Sequence, residues 1–352
     1  MEPSAAMLDE ATPAKAPRTR GNDLANRQID LLAIAQGFLP SSALFALVRL
    51  GIFNRISSGA RTVGDLAGEL GCQPEHLARL LNAGVMLGVL ETSDRTTYRV
   101  PQCYHRMLVE TGDAGYLGEW LGFMESWYAP FATLDQAVMQ GGRTNMYAHD
   151  PAIIRQNTLA MHNFASVRGK ELTKFLDTTG CESLLDIGCG PGTYSFELGV
   201  RNPKLELHLL DLPAILEVTR EVQGEYELAN SIEYLARDLS TDEIPGTYDM
   251  VLASNVLQAF DEERIQLLLA QIYESTNPGG SVVVQAQFLD DNRLGPRWPI
   301  FVDLGCLCFT PGGRNHSPSE TKQWLEAAGF RDVEQSRMSL FNANGFLRGY
   351  KR

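Results

Sequence analysis

The feature that most constrains this chain is a change of texture at Ser183. From there on, short runs rich in leucine and β-branched residues alternate with stretches of helical spacing. The candidate strands are Ser183 to Ile187, Glu206 to Asp211, Ile232 to Arg237, Tyr248 to Ser254 and Gly280 to Phe288. Strands that are apolar along their whole length are buried on both faces, and the helices between them supply the crossovers that parallel pairing requires. The pattern predicts an α/β domain over residues 181–352, with a doubly wound parallel sheet. A helix from Pro318 to Ala328, then strands at Val333 to Met338 and Gly345 to Tyr350, are expected to close one edge as a hairpin.

The richest motif is LLDIGCGPGTYS, Leu184 to Ser195, in which an apolar strand runs through Asp186, Gly188, Gly190 and Gly192 into a helix. Three glycines let the backbone turn sharply and let a ligand lie against it with no Cβ in the way. The second strand ends in Asp211, within LHLLDLP, where a carboxylate can take both hydroxyls of a ribose. Leu212 follows it. The glycines fall as D-x-G-x-G-x-G, and Pro191 removes an N–H that a pyrophosphate would use. That spacing fits S-adenosylmethionine, which has no phosphate. At the end of the third strand Asp238 can accept from an adenine amino group while Leu239 covers the ring, and the fourth strand carries Ser254 and Asn255 out over the sheet edge. The structural alternative for these acids is a cap or a turn.

Residues 1–22 are polar, rich in Ala and Pro, and read as a disordered lead-in without the apolar core of a secretory signal. Residues 23–110 read as helical, with two short amphipathic helices meeting at Gly71 to Pro74, then a two-stranded segment turning at Ser93 to Thr96. That is a winged helix-turn-helix. Its segment Thr62 to Val100 carries Asp65, Glu69, Glu75, Glu91 and Asp94 against Arg79, Arg95 and Arg99, and the chain has a net charge of -13. Phosphate binding needs an excess of Lys and Arg, so nucleic acid is excluded as a partner and self-association is the expected role. Residues 111–180 read as a helical linker and substrate-lining region. No apolar run is read as approaching the roughly 20 residues of a membrane span. Six scattered cysteines without metal-ligand spacing point to a reducing cytoplasm and to no metal site.

With these motifs in order, LLDIGCGPGTYS, LLDLP, ARDL, YDMVLASNVL, NPGGSVVV and FVDLGCLCFTPGGRNHSPSETKQWLEAAGF, the chain resembles a family of class I methyltransferases. They are the caffeate-type plant O-methyltransferases and their bacterial relatives acting on hydroxyneurosporene, polyketides and similar small molecules. The resemblance implies a winged-helix dimerisation domain, a Rossmann-like donor domain, a homodimer, a small-molecule acceptor, and S-adenosylmethionine held at Asp186, Gly188, Asp211 and Asp238. It also implies a catalytic histidine in a V-L-H-x-W-x-D segment and an acid in a G-G-K-E-R-T segment. Here those read Val256-Leu257-Gln258-Ala259-Phe260-Asp261 and Gly312-Gly313-Arg314-Asn315-His316-Ser317.

Neither Gln258 nor Asn315 can take up a proton near neutral pH. A hydroxyl acceptor wants a base, whereas a thioether sulfur has no proton to lose and needs only to be held in line with the methyl. The expectation is therefore S-methylation, as in the related subgroup acting on 4-methylthio-2-hydroxybutyrate. An arginine among Arg143, Arg168, Arg293 and Arg297 would meet that acceptor's carboxylate. The alternatives are O-methylation (or C- or N-methylation), using His162, His316 or an acceptor that is already acidic, and a binding protein that keeps the donor without transferring methyl. Trp127, Tyr128, Arg143, Tyr147, Met161, His162, Phe164, Gln258, Trp298 and Phe309 are the expected pocket residues.

Overall fold

A computed structural model describes residues 23–59, 61–110, 115–142, 150–337 and 344–352, of which 23–26, 167–175, 337 and 344 are described by backbone alone. The lead-in over residues 1–22, and with it the expectation of disorder there, lies outside the described residues, as do Arg143 and Tyr147. The chain forms two compact units, one ending at Pro101 and the other starting at Gln102.

The first unit holds α1 (Asp23–Ala35), α2 (Phe38–Arg49), α3 (Ile52–Arg55), β1 (Arg61–Thr62), α4 (Val63–Leu70), α5 (Pro74–Met86) and β2 (Thr97–Tyr98). Leu47, Ile52, Phe53, Ile56, Leu66, Leu81, Leu90 and Tyr98 are buried in it, and the Tyr98 hydroxyl donates to Asn82 Oδ1 at 2.7 Å. Thr62 caps α4 by accepting from the Asp65 N–H at 3.1 Å, which stops β1 and starts the helix. The wing differs from the sequence expectation. Its strand β2 pairs antiparallel with β1, ahead of the two helices, and only a single bridge joins Glu91 to Arg99. Ile29, Leu31, Leu32, Ile34, Phe38 and Leu39 leave α1 and α2 with an exposed apolar surface. Residues Arg27–Arg49 are long and apolar enough to cross a membrane by length and composition, where the sequence was read as holding no apolar run near that length.

In the second unit α6 (Gln102–Leu108), α7 (Gly118–Ser126), α8 (Tyr128–Phe131), α9 (Leu134–Gln140) and the long α10 (Pro151–Phe175) precede the sheet. Then come β3 (Ser183–Ile187), α11 (Thr193–Arg201), β4 (Glu206–Asp211), α12 (Pro213–Gln223), β5 (Ile232–Ala236), β6 (Tyr248–Ser254), α13 (Glu262–Glu274) and β7 (Thr276–Gln287). Helices α14 (Arg297–Phe309) and α15 (Pro318–Ala328) and strands β8 (Arg331–Arg337) and β9 (Asn344–Tyr350) complete it. The seven strands lie in the order β5-β4-β3-β6-β7-β9-β8, parallel from β5 to β7 and antiparallel for β9 and β8.

Consecutive residues of a strand face opposite sides, and both sides here are apolar. Leu185, Ile187, Val251, Ala253, Val282 and Val284 pack under α13 and α15 against Ile265, Leu268, Leu269, Ile272, Trp324 and Leu325. On the other side Leu184, Leu207, Leu209, Met250 and Leu252 meet Phe196 and Leu198 of α11 and Leu216 and Val222 of α12. The chain starts in the middle of the sheet, runs outward through β4 and β5, then returns to β6 on the far side of β3. Ligands of such sheets lie at the carboxyl ends of the strands flanking that reversal.

Candidate active site

A cavity of about 560 Å³ opens at those carboxyl ends. Asp186, Gly188, Gly190, Asp211, Leu212, Asp238, Leu239, Ser254 and Asn255 all line it, so the structure brings together nine residues that the sequence placed on four separate strands. Gly192 stands behind the wall as the residue before α11.

The glycine turn is built on backbone angles that other residues seldom adopt. Gly188, Gly190 and Gly192 have φ of 61°, 53° and 73°. A Cβ on Gly188 would come within 2.6 Å of Val256 Cγ2, and one on Gly192 within 2.8 Å of the Phe196 ring. At Gly190 the same atom would meet open space, because the cavity lies there. The Gly190 N–H donates to Asp211 Oδ2 at 2.8 Å, the Leu212 N–H to Asp211 Oδ1 at 2.7 Å, and the Thr219 hydroxyl to the Gly190 carbonyl at 2.7 Å.

Two buried carboxylates set the electrostatics. Burial pushes Asp211 up to about 6, against the pull of the Gly190 and Leu212 N–H groups. Asp186 is pushed up to about 7 by burial, opposed by the Ser195 hydroxyl, which donates to its Oδ2 at 2.6 Å, and reinforced by the nearby Asp211. Its other oxygen, Oδ1, has no partner among the described residues. A carboxylate held in low dielectric with an oxygen unengaged is matched to a ligand that brings hydrogen-bond donors or positive charge. The third acid is different. Asp238 is exposed, and its Oδ1 accepts from the Ser240 N–H at 2.8 Å and the Ser240 hydroxyl at 2.6 Å.

Several supporting groups had no distinct signal in the sequence. Arg264 of α13 donates from Nε at 2.8 Å and from Nη2 to the Leu239 carbonyl, pinning the loop after β5. Gln285, a buried amide inside β7, accepts from the Ser254 hydroxyl at 2.6 Å and from Asn255 Nδ2 at 2.8 Å, and so holds the left-handed turn at Asn255. Asn157, Thr158, Thr310 and Pro311 also line the cavity.

Gln258, at the position where the family's catalytic histidine is expected, and His162 and His316, the candidate bases, are not among the residues lining the cavity. Gln258 sits on a 3₁₀ turn over Leu257–Ala259, and its buried Oε1 has no partner, while Ala259, Phe260 and Asp261 beyond it reach the cavity. His316 is buried edge-on against Trp324, with ring centroids 4.9 Å apart. Burial, with Arg314 adding to it, holds its imidazole down at about 4. His162 is buried behind the glycine turn.

Among the expected walls, Met161 and Phe164 line the cavity. Phe164 also stacks on Trp120 with centroids 4.2 Å apart. Trp120 leads into a ring cluster in which Trp298 lies 6.3 Å away, and Trp127 packs against Trp298 at 6.2 Å and Phe309 at 5.3 Å. Trp127, Tyr128, Trp298 and Phe309 themselves stand outside the cavity wall, and the Trp127 Nε1 is buried without an acceptor.

Fold and site together define a nucleoside-binding α/β domain of the methyltransferase kind, preceded by a helical winged unit. Residues 137–331 match the O-methyltransferase domain, and residues 32–106 match the O-methyltransferase dimerisation domain. The chain belongs to that O-methyltransferase family and is an S-adenosylmethionine-dependent methyltransferase. It is 28% identical over 319 residues to the tetracenomycin polyketide synthesis 8-O-methyl transferase TcmO of Streptomyces glaucescens, covering 88% of this chain and 93% of that one. Over 332 residues it is 26% identical to the 3-hydroxy-5-methyl-1-naphthoate 3-O-methyltransferase of Streptomyces sahachiroi, covering 91% and 94%. The crystal structure of human N-acetylserotonin methyltransferase in complex with SAM has the same fold, with a TM-score of 0.82 at 22% identity, over 95% of this chain and 99% of that one.

Proposed function

We propose that this chain binds S-adenosylmethionine against the glycine turn and directs its methyl to a hydroxyl on a planar, fused-ring aromatic molecule. The observation that carries the acceptor class is Phe164, one ring that both lines the cavity and stacks on Trp120 at the head of the Trp298, Trp127 and Phe309 cluster. A flat apolar ring in the wall, backed by further rings, favours a flat apolar ligand. The relatives named for a tetracenomycin polyketide and for a hydroxynaphthoate support the same class.

The donor, when bound, supplies an electrophilic methyl on a sulfonium. Asp211 would take the ribose hydroxyls, Asp238 the adenine amino group, Leu239 the ring face, and Asp186 the positively charged end, while Gly188 and Gly190 leave room for close approach. Among the described residues the acceptor side holds and orients, and Asp261, which lines the cavity, is engaged in capping α13. Gln258 has no basic atom, and His316 is buried, held down at about 4 and outside the wall. The acceptor hydroxyl that fits this wall is one acidic in its own right, as a phenol conjugated to a ring carbonyl para to it is. Loss of its proton to solvent precedes transfer, and positioning alone lowers the barrier, by as much as about 7–11 kcal/mol in well-oriented systems.

A thioether acceptor is the second reading, favoured by Gln258 standing where the family's histidine is expected. A thioether acid would want an arginine in the wall. Arg293 pairs instead with Glu320 at 2.5 Å and Arg297 lies 5.9 Å over the Phe301 ring, both away from the cavity, while Arg237 and Arg264, which do line it, donate to the Ala236 and Leu239 carbonyls. The Arg168 side chain and all of Arg143 lie outside the described residues. Incubation with isotopically labelled donor and a panel of fused-ring phenols, thioether acids and amines, read by mass spectrometry, decides between them. A labelled aryl methyl ether is expected, and a labelled sulfonium product would replace the first reading by the second. The proposed assembly is a homodimer through the exposed apolar surface of α1 and α2, which overlaps the matched dimerisation segment.

A further inference from the structure

His162 belongs to α10, whose neighbouring residues Met161 and Phe164 line the cavity, yet its own ring does not. The ring is buried, with Nδ1 2.8 Å from Thr193 Oγ1 and Nε2 3.2 Å from Glu225 Oε2. A carboxylate only accepts, so Nε2 is the donor toward Glu225, and Nδ1 of the neutral ring accepts from the Thr193 hydroxyl. Thr193 opens α11 directly after Gly192 and itself lines the cavity, and Glu225 lies just past α12.

A turn with three residues at positive φ has little stiffness of its own and takes its shape from outside contacts. Beside the Cys189 N–H, which donates to the Leu210 carbonyl of β4 at 3.2 Å, three side chains hold this one among the described residues: Asp211 from β4 to the Gly190 N–H, Thr219 from α12 to the Gly190 carbonyl, and His162 from α10 to Thr193. The first two come from elements that line only the donor end. The third comes from the helix that carries the acceptor wall. We propose that His162 is a positioning residue that couples the two halves of the site, setting the glycine turn for the donor through Thr193 and registering α10, with Met161 and Phe164, against it. The inference rests on the reading that S-adenosylmethionine lies against this turn.

Its test is calorimetry with S-adenosylhomocysteine, alongside separate KM values for donor and acceptor. His162→Ala and Thr193→Val are each expected to weaken S-adenosylhomocysteine roughly tenfold, the loss of one buried hydrogen bond. The double variant should be no weaker than either single one, since both remove the same contact. His162→Asn, whose amide falls near the position of Nδ1, should restore affinity to within about threefold, whereas His162→Gln, which reaches only toward Glu225, should not. The acceptor KM should rise in His162→Ala more than in Thr193→Val, because only the former also frees α10. Unchanged affinity in Thr193→Val and His162→Ala, with only a lower Tm, would overturn the coupling, as would penalties that simply add. Wild-type protein that does not bind S-adenosylhomocysteine at all would instead remove the donor site on which the coupling depends.

Discussion

At the donor end of the cavity Asp211 accepts from two backbone N–H groups and Asp186 from Ser195, and both acids stand above the usual carboxylate range because burial disfavours their charge. In the segments around Gln258 and His316 the polar atoms are enclosed as well, but the Gln258 Oε1 has no partner among the described residues and Asn315 Nδ2 is taken up by the Pro299 carbonyl at 2.9 Å. The first arrangement is prepared for a ligand that completes it. In the second, Gln258 and His316 do not line the cavity, and Asp261, which does, caps α13 by accepting from the Arg264 N–H at 2.8 Å. On the proposed reading, the difference assigns the demanding part of recognition to the donor and leaves the acceptor to provide its own reactivity.

The largest effect expected from breaking this comparison is at Asp211. Asp211→Ala removes a charged acceptor of at least two hydrogen bonds, each worth about 1.5–3 kcal/mol, and should weaken S-adenosylhomocysteine by roughly 100-fold or more in calorimetry. Gly188→Ala should come next. Its φ of 61° and the 2.6 Å approach to Val256 act together. A left-handed alanine costs roughly 1–2 kcal/mol, and at a few degrees per kcal/mol the Tm should fall by about 3–6 °C in a thermal melt. Adding Val256→Ala should relieve the clash but leave the backbone strain.

The pH dependence of donor affinity should be smaller again. In the free protein the raised acids bind protons that the unfolded chain has already lost, so their contribution to stability falls as pH rises from the ordinary carboxylate range near 4 through about 6 for Asp211 and about 7 for Asp186. Donor binding favours the charged forms and works in the opposite sense. Affinity should increase by roughly tenfold or more between about pH 5 and pH 8, with protons released on binding, as calorimetry in buffers of different ionisation enthalpy would record. Affinity that is flat over that interval would show that neither acid meets the donor. The smallest effect is expected at Gln258: its replacement by Ala should change kcat less than about threefold, because the amide can neither donate nor take a proton usefully there. A loss of two orders of magnitude would place it against the acceptor.

Much of the donor half was legible because its signals are local. Strand β3 ends where it was read, since Leu184 and Leu185 are buried on opposite faces and Gly188 forces the turn. Strand β7 begins four residues earlier than the apolar run, at Thr276, because Thr276 pairs with Tyr248 ahead of a register shift that no periodicity reveals. Arg264 and Gln285 were silent because their partners, the Leu239 carbonyl and the Ser254 and Asn255 side chains, are set by tertiary placement. His162 was placed on the correct helix. One residue is about 100° of helical rotation, however, and that separates its ring from Met161 and turns a candidate base into a strut behind the turn.

The central claim is that the turn after β3 and the acid ending β4 receive the sulfonium nucleoside, and titration of the wild-type chain with S-adenosylhomocysteine tests it most directly. The account predicts saturable binding at one site per chain, abolished or greatly weakened in Asp211→Ala. Absence of saturable binding, or binding that Asp211→Ala leaves untouched, would contradict it.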